Sequence, residues 1–183
     1  MTRTVLYGLA GVLLGLLIHL VVILTLPLLA TDSMFARVAA AVPQLDRTVV
    51  LPQVKAADSN PLRLDPELAY AVCRLDLSKG PGQLTGSLPA GFWSVAVYSR
   101  SGTIIYSTTN RDGIGQSLDL GIFDPAQTRL LAEQKIDVDA GLLIVEAKTD
   151  DVFAVVRLSP PEPAARARYE SQLAQLACRN IAL

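Results

Sequence analysis

AYAVCRLDL, residues 69–77, alternates in side-chain character. In an extended chain Tyr70, Val72, Arg74 and Asp76 point one way, and Ala71, Cys73, Leu75 and Leu77 the other. Period two over this length predicts a half-buried strand with Cys73 on its inward face. Downstream, SKGPGQ (78–83) is a turn in which Gly80, Pro81 and Gly82 supply the special dihedrals. QLTGSL (83–88) follows as a short partner strand, and Pro89, Ala90 and Gly91 turn the chain again. GFWSVAVYS (91–99) sets Trp93, Val95 and Val97 against Phe92, Ser94, Ala96 and Tyr98. Ser101-Gly102 then leads tightly into TIIYSTT (103–109), the strongest hairpin signal in the chain.

The C-terminal half continues in short elements. NRDGIGQ (110–116) is a loop, and Asp124-Pro125 caps a short helix over AQTRLLAEQ (126–134), with Thr128, Leu131 and Ala132 as inward positions. GLLIVEA (141–147) and VFAVVRLS (152–159) are strands; the first is a continuous apolar run and is expected to be central. Pro163 suits the first turn of a last helix whose apolar stripe is Tyr169, Leu173, Leu176 and Ala177. Buried across the sheet, that stripe would bring Cys178 toward Cys73. A bridge would close a loop of about 100 residues, worth roughly 4.7 kcal/mol in the chain-entropy account. The alternative is a pair of buried free thiols.

Upstream the composition changes. The chain is 51% hydrophobic, with a mean hydropathy of +0.38, and the excess sits at the start. Residues 5–30, VLYGLAGVLLGLLIHLVVILTLPLLA, contain no Asp, Glu, Lys or Arg. As a helix this run would be about 39 Å long, enough to cross a hydrocarbon core of roughly 30 Å with some tilt. A cleaved signal peptide is the rival reading, but its apolar region is shorter, and Leu28-Leu29-Ala30 matches a small-residue cleavage site poorly. Arg3 ahead of the run and Asp32 after it favour a cytoplasmic N-terminus and an exported body. Residues 32–42, DSMFARVAAAV, form a short helix with Phe35, Val38, Ala39 and Val42 on one face, ended by Pro43. It is expected either to continue the anchor or to lie at the membrane interface. Residues 44–66 carry Pro52, Pro61 and Pro66 and read as a tether with one short strand at 48–51.

Three segments result: a transmembrane signal anchor (1–31), a juxtamembrane helix and tether (32–64), and a periplasmic β-rich domain (65–183). The expected fold class is mainly β with flanking helices (α+β). A jelly-roll-like or sandwich-like antiparallel domain is closed by a C-terminal helix and preceded by the transmembrane helix.

The residue inventory restricts the chemistry. Net charge is −1 and no block of Lys or Arg exists, which argues against a nucleic-acid surface. His19 is the only histidine and lies inside the apolar run, so the exported body cannot supply an imidazole to a Ser or Cys nucleophile. Two thiols are too few for an ordinary zinc site. Asp137, Asp139, Asp150 and Asp151 could in principle hold calcium, but lack the loop pattern that would support it and read as solvated turn carboxylates. Gly113-Ile114-Gly115 is no phosphate loop, because QSLDLGIF after it does not read as a helix. Ser78-Lys79 reads as the entrance to a turn. Trp93 reads as core. Tyr70, Tyr98 and Tyr106 are expected to line the opposite face of the sheet, a candidate partner or ligand face.

Within the apolar run, Gly8, Gly11, Gly15 and His19 recur at spacings of three and four and share one helical face. Small residues there admit a second helix, and an imidazole in hydrocarbon needs a partner. The stripe reads as a helix-docking face; a passive anchor, or a haem or pigment ligand through His19, is the alternative.

The stretch 65–102, DPELAYAVCRLDLSKGPGQLTGSLPAGFWSVAVYSRSG, resembles the core of domain-of-unknown-function family 1254. The resemblance rests on Asp65, Leu68 and Tyr70, on Asp76-Leu77-Ser78 with Pro81, on Phe92-Trp93, and on a closing strand and Pro-started helix over residues 152–177. Here Ala69 splits the Leu-Tyr pair, and the Asn-rich lead-in is missing. The resemblance implies a β-rich, jelly-roll-like domain in a small membrane-anchored bacterial version, and supplies no reaction. The function expected is therefore non-catalytic, with no cofactor and no metal. It is that of a single-pass inner-membrane protein acting as an envelope accessory or assembly subunit. Its partners would be the lipid bilayer and a membrane protein or second copy docked through the helix. The alternatives are a periplasmic binding module for a small apolar or lipid-like ligand and, behind it, a hydrolase using carboxylates alone.

Overall fold

The computed structural model describes residues 2–29, 33–111, 116–134 and 141–181. In chain order the elements are α1 (Thr2–Leu29), α2 (Met34–Ala41), β1 (Thr48–Leu51), β2 (Ala69–Asp76), β3 (Gly82–Ser87), β4 (Trp93–Ser99), β5 (Ile104–Thr109), β6 (Ser117–Phe123), α3 (Pro125–Gln134), β7 (Leu143–Glu146), β8 (Asp151–Leu158), α4 (Arg166–Ala174) and β9 (Ala177–Asn180). Single 3-10 turns precede β3 and α4. The strands form a five-stranded antiparallel sheet, β1-β2-β8-β4-β5, and a four-stranded sheet, β7-β6-β3-β9. The architecture is α+β, with an apolar helix at the N-terminus and a helix near the C-terminus.

The alternation in β2 is realised on both faces. Ala71, Cys73 and Leu75 join Val95 and Val97 of β4, Ala154 and Val156 of β8, and Leu84, Leu120 and Ile122 of the second sheet in one core between the sheets. Trp93 is fully buried there. Tyr70 and Val72 point the other way, and that outer face is also covered, by α2. Ser33 caps α2, its Oγ accepting from the Ala36 N–H at 3.1 Å. Val38 and Val42 are buried against the sheet, and the Phe35 ring lies between the Arg74 and Arg100 guanidinium groups, 5.3 and 5.7 Å from its centroid. This helix packs on the body, because its apolar stripe finds the open half of the sheet.

The segment expected as a tether is built in as well. Thr48–Leu51 forms the expected strand and pairs antiparallel with β2. Asn60 clasps the following loop, its side chain bonding the Leu64 C=O and N–H at 2.8 Å each. Gln53 donates to the Pro66 carbonyl at 3.0 Å.

Asp76-Leu77-Ser78 forms the corner between the sheets. The Asp76 carboxylate accepts from the Ser78 N–H and hydroxyl, and Asn180 at the end of β9 donates to the carbonyls of Asp76 and Gly80. At Gly80 φ is 132° and a Cβ would come within 2.5 Å of the Ile181 carbonyl oxygen, so only glycine fits. The Ser78 hydroxyl holds the Asp76 carboxyl below its ordinary value, with the Lys79 charge adding to the effect. A carboxyl depressed on folding stabilises above its unfolded value, and the gain is lost as pH falls through the folded one. Asp76→Asn is thus expected to lower the thermal midpoint at neutral pH and to converge on the parent below the ordinary carboxylate range. A gap that persists in acid would refute this.

Five expectations are corrected. QLTGSL pairs with β6 and β9 in the second sheet, not with β2. The apolar run around β7 is an edge strand and runs parallel to β6; Val145 is buried, whereas Ile144 is 46% exposed. The helix between β6 and β7 makes a crossover, which imposes the parallel direction, so the domain is not wholly antiparallel. On α3, the buried residue is Gln127, which donates to the Leu77 carbonyl at 2.9 Å; Ala132 is exposed. Asp124 caps that helix as expected. Finally, α4 stops at Ala174, and the chain re-enters the second sheet as β9 rather than remaining helical to Cys178. Leu176 makes the turn, resting on Gly86, where a Cβ would meet its Cδ2 at 2.5 Å.

Cys73 of β2 and Cys178 of β9 are disulfide-bonded, with Cα atoms 6.0 Å apart and both residues buried. The bond joins the two sheets through the core.

Candidate functional site

Between α2 and the outer face of the five-stranded sheet lies a cavity of about 410 Å³. Strand register builds its floor. On β2 and β8, Val72 stands opposite Val155 and Tyr70 opposite Arg157; on β4, Tyr98 stands opposite Phe153. The Tyr98 and Phe153 rings stack at 4.9 Å, and Phe35 lies 6.1 Å from Phe153. Met34, Arg37 and Val38 of α2 form the roof, and Leu62 and Leu64 close one side. The Asn60 clasp sets that side. It folds a turn in which Arg63, with φ of 52°, adopts the left-handed conformation that side chains seldom take and stands exposed on the rim.

The charged side chains of the lining are all cationic among the described residues. Arg37, Arg63 and Arg157 line the cavity, and no carboxylate does so among the described residues. Arg157 Nη2 donates to Tyr98 Oη at 2.8 Å, and the Asp65 N–H donates to Tyr70 Oη at 3.1 Å. Each phenol accepts in these bonds, which leaves its own proton to give.

Of the three tyrosines grouped on one face, Tyr70 and Tyr98 lie in the cavity wall and Tyr106 does not. The β4–β5 register shifts between Val97 and Tyr98, which places Tyr106 opposite Val97 and turns it toward the core between the sheets. Gly8, Gly11, Gly15 and His19 lie on α1, where a Cβ added at any of the three glycines meets nothing within 4 Å. Gly113, Ile114, Gly115, Asp137 and Asp139 fall outside the described residues. Asp151 is ion-paired with Arg100, and Lys79 with Asp76 at 3.5 Å. No cluster of three metal-ligating side chains occurs among the described residues. Sequence reasoning missed Arg157 and Phe153, although both share a face with Val155 in VFAVVRLS, and missed Arg37 and Arg63, which lie in the segments taken for helix and tether.

The fold and cavity define a two-sheet α+β domain with a roofed apolar pocket on one outer face. Among solved structures the chain is similar to the VPA0106 protein of Vibrio parahaemolyticus, with a TM-score of 0.57 and 11% identity over 82% of this chain and 35% of that one. An uncharacterized protein from Burkholderia cenocepacia aligns with a TM-score of 0.44 and 13% identity over 82% of this chain and 40% of that one. The first likeness is one of fold, and this chain spans about a third of that protein's length. No family model and no curated protein matches the chain.

Proposed function

We propose that this protein is a membrane-anchored, non-catalytic binding module that holds a small apolar or lipid-like ligand in the cavity beneath α2. The cavity itself carries the reading. Its floor of Val72, Phe153 and Val155 is apolar, its volume falls within the range of small-molecule sites, and a few convergent polar groups stand at its edge. The 26 residues from Thr2 to Pro27 are long and apolar enough to cross a membrane. The Cys73–Cys178 bond suits an oxidising compartment such as the periplasm. With Arg3 on the inner side, α1 would be a single-pass anchor in a bacterial inner membrane and the remainder an exported, jelly-roll-like body. Membership of family 1254 belongs to the same reading.

Val155 lies partly buried in the cavity wall, so Val155→Trp should fill the space without cutting the core between the sheets. Full-length protein extracted gently from its membranes is expected to carry a small molecule in native mass spectrometry, and the Trp variant to come out empty. An empty parent protein would overturn the reading.

Docking through α1, as an envelope accessory subunit, stands second. In its favour is the open space over Gly8, Gly11 and Gly15, where a helix backbone could approach. Gly11→Leu is expected to abolish co-purification of a membrane partner or second copy; unchanged co-purification removes this reading.

A further inference from the structure

Resting on the ligand-binding reading above, we infer that the cavity takes an anionic amphiphile drawn from the adjacent lipid leaflet. Its acidic head is held by Arg157 and Arg63, and its aliphatic chain lies over Val72, Phe153 and Val155. Charge argues for the head. Among the described residues neither Arg63 nor Arg157 meets a carboxylate, and one bond to Tyr98 is the only side-chain partner of the half-buried Arg157. A guanidinium has five N–H donors, and a partly desolvated cation without a counter-charge is costly, so an acid placed there offsets that cost. The phenols agree with it. Tyr70 and Tyr98 both accept from an N–H, so each keeps its own proton to give, and beside the two guanidinium groups these protons suit an oxyanion. The apolar floor of Val72, Phe153 and Val155 favours a ligand with a hydrocarbon part over a bare inorganic anion.

Chain length argues for the source. Four residues separate Leu29, the end of α1, from Met34, the start of the roof helix. Five steps of about 3.8 Å bring the roof within at most about 19 Å of the end of the anchor. The short connection therefore keeps the roof helix near the surface of the bilayer that α1 would cross.

The experiment uses the full chain in nanodiscs of equimolar phosphatidylglycerol and phosphatidylcholine, with retained lipid counted by native mass spectrometry. One phosphatidylglycerol is expected to be retained at least about tenfold over phosphatidylcholine, the worth of a single charge-assisted hydrogen bond. Arg157→Gln with Arg63→Gln should erase the preference. Arg63→Gln alone, on an exposed turn, should weaken it and keeps the test open if losing the Tyr98 bond disturbs folding. Val155→Trp should remove the bound lipid altogether. Equal retention of both lipids, abolished by Val155→Trp, would overturn the anionic assignment and leave the ligand-binding reading standing. A phosphate adduct formed in millimolar inorganic phosphate, with no lipid retained, would overturn the leaflet source. Lipid retention indifferent to Val155→Trp, or no retention at all, would overturn both readings.

Discussion

Replacing Cys73 and Cys178 together by alanine is expected to destabilise the body by about 2–5 kcal/mol, the usual consequence of removing a native bridge. The bond spans 105 residues, so the unfolded chain loses a large closure entropy when it forms. It also ties β2 of one sheet to β9 of the other, and β9 is a four-residue edge strand that pairs with β3 alone among the described strands. Without the bond, β9 keeps that ladder and the Asn180 contacts with the corner; loss should therefore begin at the C-terminus. Denaturant unfolding followed by Trp93 fluorescence measures the difference, with the slope kept constant to confirm a change in stability rather than in mechanism. Because both cysteines are buried, the parent's bond should resist added reductant until the body opens. A double variant with an unshifted midpoint, or two reactive thiols in parent protein isolated without reductant, would contradict this account.

Phe153→Ala should be comparably severe, costing about 3–5 kcal/mol as a large-to-small change at a site with almost no exposed surface. The ring lies at the centre of the outer cluster, stacked on Tyr98 and within reach of Phe35 from α2. Its loss leaves Tyr98 unsupported and removes what Phe35 rests upon, so the roof helix loosens while the core between the sheets keeps its own contacts. Two measurements separate these effects: the denaturant midpoint for the whole body, and the rate of tryptic cleavage after Arg37 for α2 alone. Both should change in Phe153→Ala, and Phe153→Leu should recover most of each. A loss below about 1 kcal/mol with unchanged cleavage at Arg37 would show that the ring does not carry the roof.

What could be read from the sequence was local. The alternation in β2 and β4, the tight connection into β5, the cap at Asp124, the proline that opens the last helical segment at Pro163 and the inward placement of Cys73 all depend on neighbours a few residues apart. The approach of the two cysteines was legible as well, because each lay on an apolar face that needed covering, but whether they form a bridge or stay free thiols was left open. Sheet membership did not follow. β3 looks like a hairpin partner of β2, and nothing in QLTGSL shows that the 3-10 turn at Leu77–Lys79 carries it to the other sheet. The apolar run of β7 resembles a central strand because periodicity cannot distinguish burial on two faces from a half-exposed edge. The site was the least legible part. Its arginines come from residues 37, 63 and 157, and its tyrosines were grouped with Tyr106 until a one-residue register shift turned that ring inward.

The Cys73–Cys178 bond encloses β3 to β8 and leaves α1, α2 and β1 outside its ring. A single proteolytic nick anywhere between those cysteines therefore leaves one covalent molecule. A cut between α1 and α2 sheds the body with its roofed pocket whole, whereas a cut between Leu51 and Cys73 leaves the roof and first strand to dissociate. The position of a single cut thus decides whether the pocket leaves intact or opened.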